Sequence, residues 1–130
     1  MKIRRLNPEF AFKRFAQAFP GCAPPHKDSL AWYCIHREFV VGWATARHVD
    51  DLLIFNGAEV MPEYRGNGWH RRLIRARLCY ARHHGLTSIT YTAHDNWKSI
   101  NNLVRAGFLS YIPEYRWAGK DFIYWQKLKN

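Results

Sequence analysis

The apolar positions of this chain recur with two periods, and the switches between them mark out its elements. Leu30 to Ile35 and Phe39 to Arg47 are strand-like runs separated at Arg37-Glu38, the pattern of a hairpin. Asp50-Asp51 turns the chain into a third run, Leu52 to Val60, which Pro62 closes. From Trp69 to His84 the period lengthens. Leu73, Ile74, Leu78 and Ala81 fall at helical spacing, and Gly85 supplies the stop. Thr87 to Ala93 is rich in β-branched and aromatic residues and predicts a central strand. Asp95 or Asn96 caps a helix running to Ala106. Phe108 to Tyr115 and Phe122 to Leu128 read as two last strands joined by a turn around Gly119. Near the start, Pro8 to Phe19 predicts a short helix capped by Asn7, with Phe12, Phe15 and Phe19 on one face. Pro20-Gly21 and Pro24-Pro25 end it. Strands linked through helices in the middle imply parallel crossovers, and the chain ends read as hairpins. Residues 1–130 are therefore expected to form a single α/β domain around a mixed sheet.

One segment interrupts this alternation with glycines. Val60-Met61-Pro62-Glu63-Tyr64-Arg65-Gly66-Asn67-Gly68-Trp69-His70 reads as a strand end, a proline stop, a glycine turn and a helix start. Such a turn leaves backbone N–H groups free at the positive end of a helix dipole, a site suited to phosphate. Gly66 and Gly68 allow turn angles and close approach of a ligand. A P-loop would need Lys-Ser or Lys-Thr after the last glycine, where Trp69-His70 stands. A dinucleotide fingerprint would need a third glycine near Arg71.

The turn instead resembles the pyrophosphate-binding motif of the GNAT superfamily of N-acetyltransferases. That motif is Arg or Gln, two residues, Gly, one residue, then Gly or Ala. Here it runs from Arg65 to His70, with His70 standing where a small residue usually opens the helix. Asn96-Trp97-Lys98-Ser99-Ile100-Asn101-Asn102-Leu103-Val104-Arg105-Ala106-Gly107-Phe108 resembles the family's later helix, with Asn at its start and Gly-Phe at its end. The resemblance implies a mixed sheet of about six to seven strands flanked by helices. It also implies two central strands splayed apart around acetyl-CoA. The pyrophosphate would then rest on Arg65, Gly66, Asn67, Gly68, Trp69 and His70, and the pantetheine arm would pair with the backbone at Val60. Asn96 would reach the cofactor, or serve as a plain helix cap.

The implied chemistry is direct acetyl transfer to an amine, with a backbone N–H near Val60 meeting the oxyanion. Many family members carry an acidic tyrosine four residues before the Gly-Phe pair. Leu103 stands there in this chain, so Tyr111, Tyr115, Tyr124 or water must replace it. The carboxylates common on the two central strands are also replaced, by Ile54 and Tyr91. Glu59 and His94 are the candidate bases, each with a bland alternative as a solvated strand residue or a loop histidine, and His48 is a weaker one.

Composition narrows the rest. The chain has 130 residues, 48% of them apolar, enough for one core and against disorder. No run is long enough to span a membrane, and no apolar signal segment follows Met1-Lys2-Ile3-Arg4-Arg5. Cys22, Cys34 and Cys79 are odd in number with no Cys-x-x-Cys pair. This points to reduced thiols in the cytoplasm and to no metal site; Cys34 and Cys79 fall in apolar contexts and are expected in the core. Twenty Lys and Arg against 10 acidic residues give a net charge of +10. Arg71, Arg75 and Arg82 should share one helix face, a solvated surface or a track for an acidic partner such as nucleic acid. A basic enzyme suits an amine carried on an anionic scaffold, or a small acidic amine. A non-catalytic nucleic-acid-binding or CoA-binding module on the same fold is the rival reading.

Overall fold

The computed structural model describes residues 2–5 and 29–129, and the expected Pro8–Phe19 helix lies outside them. Among the described residues the strands are β1 (Lys2–Arg5), β2 (Leu30–His36), β3 (Phe39–Val49), β4 (Leu52–Val60), β5 (Thr87–Ala93), β6 (Leu109–Tyr111) and β7 (Phe122–Lys127). The helices are α1 (Trp69–His84) and α2 (Trp97–Arg105), with a 3-10 turn at Pro62–Tyr64. All seven strands form one sheet in the order β1-β2-β3-β4-β5-β7-β6.

Local chemistry explains most boundaries. Arg37 and Glu38 both have positive φ, 49° and 70°, the pair of angles whose twist matches a two-residue hairpin between β2 and β3. Asp50, at φ 53°, turns β3 into β4. Gly85 ends α1 in the left-handed region, where its N–H bonds the carbonyls of Ala81 and Arg82. Asn96 caps α2, its Oδ1 accepting from the Ser99 N–H at 3.3 Å.

Two expectations need correction, and one strand goes unpredicted. β1 pairs antiparallel with β2, from Lys2↔Ile35 to Arg5↔Trp32; with Ile3 alone apolar in an edge strand, no alternation announced it. The strand expected over Phe108–Tyr115 is only Leu109–Tyr111. Phe108 is buried ahead of it, and Pro113 follows two residues past its end, without an N–H for a ladder. Cys79 is exposed, whereas Cys34 is buried as expected. Cys79 lies between Arg75 and Arg82 along the outer side of α1.

α1 and α2 cover the same face of the sheet. Trp69, Leu73, Ile74 and Ala81 of α1 and Ile100 and Leu103 of α2 pack on Trp32, Val41, Phe55, Val60 and Phe108. Tyr33, Ala31 and Val40 form a smaller cluster, which Trp43 and Met61 join. Tyr33 is fully buried there, and burial pushes its pKa up to about 12.

What positions the site is the fork between β4 and β5. Among the described strands they are the one parallel pair, and their pairing covers only Leu52↔Thr87, Leu53↔Ser88 and Ile54↔Ile89. Immediately beyond, Asn56 is a bulge: Thr45 of β3 faces Gly57, and Ala46 faces Phe55. A bulge bends its strand and increases the local twist. β4 therefore leaves β5, which continues along β7 to Ala93↔Phe122. The Thr90 hydroxyl donates to the Phe55 carbonyl at 3.4 Å, where the strand ladder has stopped.

Candidate active site

The fork opens a cavity of about 200 Å³. Phe55–Ala58 of β4 and Thr90–Thr92 of β5 form its walls. His70, Ile74 and Arg77 of α1 and Ser99, Asn102 and Leu103 of α2 close its helical side. Beyond Phe55 the edge of β4 that faces β5 has no strand partner among the described residues, so it is free to pair with an extended ligand.

At the end of β4 the glycine turn delivers the chain to α1. Gly66 and Gly68 sit at φ 81° and 82°, in the left-handed region. A Cβ on either would meet nothing within 4 Å, so the turn faces open space. The N–H groups from Gly66 to Arg71 donate to no acceptor among the described residues; the next N–H, of Arg72, bonds the Gly68 carbonyl at 3.1 Å. No acidic residue lies in the first turn of α1, and no side chain caps it. A run of free donors at the positive end of a 16-residue helix is chemically matched to a pyrophosphate. Asn67 braces the turn with its Nδ2, which donates to the Tyr64 carbonyl at 3.1 Å.

The expected site residues fall into distinct settings. Val60 is fully buried, and its carbonyl accepts from Arg65 Nε at 3.0 Å. Arg65 Nη2 also binds Glu59 Oε1 at 2.8 Å, so Glu59 is held in a partly exposed ion pair beside the turn. Trp69 is buried against the core, with the Arg72 guanidinium 5.1 Å over its ring. Asn96 commits its oxygen to the α2 cap. His94 stands exposed in the turn after β5. Tyr124 is buried, and its hydroxyl donates to the Gly119 carbonyl at 2.6 Å while accepting from the Ala118 N–H at 3.0 Å. That hydroxyl holds the 118–119 turn, and its one proton is engaged there.

Two cleft residues have roles that sequence reasoning missed. His70 is expected only as a cofactor contact at the helix start, yet it lines the same cavity as Leu103. Burial lowers its pKa, Glu59 raises it, and Arg77, Arg65 and Lys98 lower it further. The imidazole is therefore neutral at neutral pH. Arg77 stands in a helix crowded with arginines, yet it is 4% exposed. Spacing carried the signal. Positions 70, 73, 74, 77 and 81 share the face that packs on the sheet, so a polar side chain at 70 or 77 must enter the interior.

A sheet forked at a bulge, with a donor-rich glycine turn at its mouth, is a site shaped for a phosphate-bearing ligand laid along a strand edge. The profile of the Acetyltransferase (GNAT) family matches residues 3–108, and the chain belongs to that family. Solved structures agree on the fold. An IAA acetyltransferase from Bacillus cereus ATCC 14579 superposes with a TM-score of 0.76 at 14% identity, covering 99% of each chain. The ribosomal-protein-S18-alanine N-acetyltransferase from Escherichia coli gives 0.73 at 17% identity, over 98% of this chain and 92% of that one. A provisionally named streptothricin acetyltransferase from Bacillus anthracis str. Ames, in complex with acetyl coenzyme A, gives 0.66 at 16%, over 79% and 64%. A sequence search of the curated proteins finds no match.

Acetyl-CoA is the cosubstrate of this family, and the unpaired N–H groups and open glycines of the turn fit its pyrophosphate. When bound it supplies an activated acetyl thioester. No helix of the described residues is long and apolar enough to cross a membrane, and they contain no cluster of His, Cys, Asp or Glu suited to a metal ion.

Proposed function

We propose that this acetyltransferase acts on a primary amine, with His70 as the proton acceptor. The observation that carries the reading is the neutral imidazole of His70, inside the β4–β5 cavity and beside Leu103. An amine entering as an ammonium must lose a proton before it attacks, and a neutral ring nitrogen in the cavity is placed to take it. Backbone N–H groups on the unpaired edge of β4 around Ala58–Val60 supply the donors for a developing oxyanion. Glu59 acts through charge: paired with Arg65 it tightens the turn and counters the cations around His70. Gly66 to His70 hold the pyrophosphate through their N–H groups, Arg65 orients the turn, and the Asn96 amide nitrogen remains available to the cofactor.

The acceptor in this reading is an amine on an anionic scaffold. The support is a groove of about 520 Å³ between α1 and α2, lined by Arg71, Arg75, Arg82, Arg105 and Lys127 and by no carboxylate. A groove of five cations follows a phosphate backbone better than it follows a lysine-rich tail. The solved structures include, by name, a ribosomal-protein-S18-alanine N-acetyltransferase and a streptothricin acetyltransferase, so the fold leaves the acceptor open. Reduced Cys34 and Cys79 suit a cytoplasmic setting. The test is incubation with acetyl-CoA and an untargeted mass search for acetylated small amines, proteins and nucleic acids, run beside His70→Gln. Acetylated product that depends on His70 supports the reading. Product formed equally well by His70→Gln moves the proton to water or to another group.

A further inference from the structure

Arg77 is the anomaly of the cleft. Among the described residues it is the one charged side chain that the core encloses, and its charge has no counterpart there. Nε donates to the Leu73 carbonyl at 3.2 Å and Nη1 to the Thr45 carbonyl at 3.4 Å. The guanidinium lies 4.1 Å over the Phe55 ring. A guanidinium carries five N–H donors, so three have no acceptor among the described residues. Among the described residues no carboxylate lies within ion-pair distance of it. Burial draws its pKa down to about 9, so it is still charged at neutral pH. Buried charges are ordinarily paired, because an isolated one is costly to remove from water. The Thr45 carbonyl belongs to the bulge, so part of Arg77 is structural. Two neutral carbonyls leave the charge itself uncompensated.

Direction along β4 says what meets it. From the glycine turn the strand runs back through Val60, Glu59 and Ala58 to Gly57, Asn56 and Phe55. A cofactor seated on the turn and laid along β4 brings its reacting end toward Gly57, and Arg77 lines the cavity beyond. We propose that Arg77 is a specificity-determining cation, binding a carboxylate carried by one of the two reactants at the closed end of the cleft. The proposal rests on the reading of the fork as the transfer site. Either reactant can supply the carboxylate: the acyl group, as the far end of a dicarboxylic acyl chain, or the amine, as an amino acid. A planar guanidinium receives either one through two parallel hydrogen bonds.

Two measurements separate the sources. Calorimetry compares succinyl-CoA with butyryl-CoA, which share chain length and differ in the terminal carboxylate. Thiol release from acetyl-CoA compares a set of amino acids with their amides. The expected result is a preference of about tenfold to a hundredfold for the carboxylated member of one pair, from a charge-assisted hydrogen bond. Arg77→Met should remove that preference, lowering affinity or kcat/KM for the carboxylated member far more than for its neutral counterpart. The wild-type ratios need no variant, so a misfolded Arg77→Met leaves the test intact. Ratios near one in both arms, with acetyl-CoA still bound, overturn the role of Arg77 and spare the transfer site. Failure of every CoA ester to bind overturns both.

Discussion

Gly68→Val separates the fold of the glycine turn from its function. Gly68 sits at φ 82° and ψ 9°, and a Cβ there would meet nothing within 4 Å. The added Cβ therefore meets no clash in the folded protein. Its cost is the left-handed backbone, about 1–2 kcal/mol for a residue with a Cβ and more for a β-branched one. The same side chain projects into the open space that the N–H groups of Gly66 to Arg71 border. Displacing a phosphate from two such donors forfeits charge-assisted hydrogen bonds worth about 1.5–3 kcal/mol each. The expected loss of acetyl-CoA affinity is therefore at least about a hundredfold. Thermal unfolding should show a modestly destabilised but cooperative domain, and calorimetry should show binding largely gone. A folded variant that binds acetyl-CoA as tightly as the parent would refute the placement of the pyrophosphate.

Other consequences follow from the same contacts. His70→Gln should lower kcat by about a hundredfold with a smaller effect on acetyl-CoA affinity, measured by thiol release. Because the folded-state pKa of His70 lies below its unfolded value of 6.5, the stability it contributes is present above about pH 6.5 and is lost as pH falls through the lowered pKa; the variant should flatten that part of a denaturant series. Tyr124→Phe removes both bonds to the 118–119 turn and should cost about 1–2 kcal/mol of stability while leaving kcat within about twofold. A collapse of kcat instead would restore Tyr124 as the acid. Replacing Arg71, Arg75 and Arg82 with Gln should flatten the salt dependence of nucleic-acid binding by roughly two to three units of log–log slope; no change in slope would detach the groove from any phosphate scaffold.

The glycine turn, both helices and the central strands were legible because each rests on local chemistry. Gly66, Gly68 and Gly85 stand where positive φ is needed, and Leu73, Ile74 and Ala81 keep the helical period. The shared face of Arg71, Arg75 and Arg82 was legible for the same reason. The bulge at Asn56 was not. Which residue goes unpaired depends on register with β3 and leaves no local mark. β1 escaped because an edge strand with exposed Lys2, Arg4 and Arg5 has no alternation to read. His70 and Arg77 were hidden by composition. In a helix crowded with arginines, residue type outweighed a spacing that already placed both inside. Tyr124 was singled out for its chemistry, and only coordinates reveal the carbonyl that accepts its hydrogen bond.

The most direct test of the account is an amide NMR titration with acetyl-CoA. The account predicts large shifts in the amides of Gly66, Gly68 and Trp69 together with those of Asn56 to Val60 along the unpaired edge of β4. Shifts confined to the outer groove at Arg75, Arg82 and Arg105, with the turn and β4 unmoved, would contradict it.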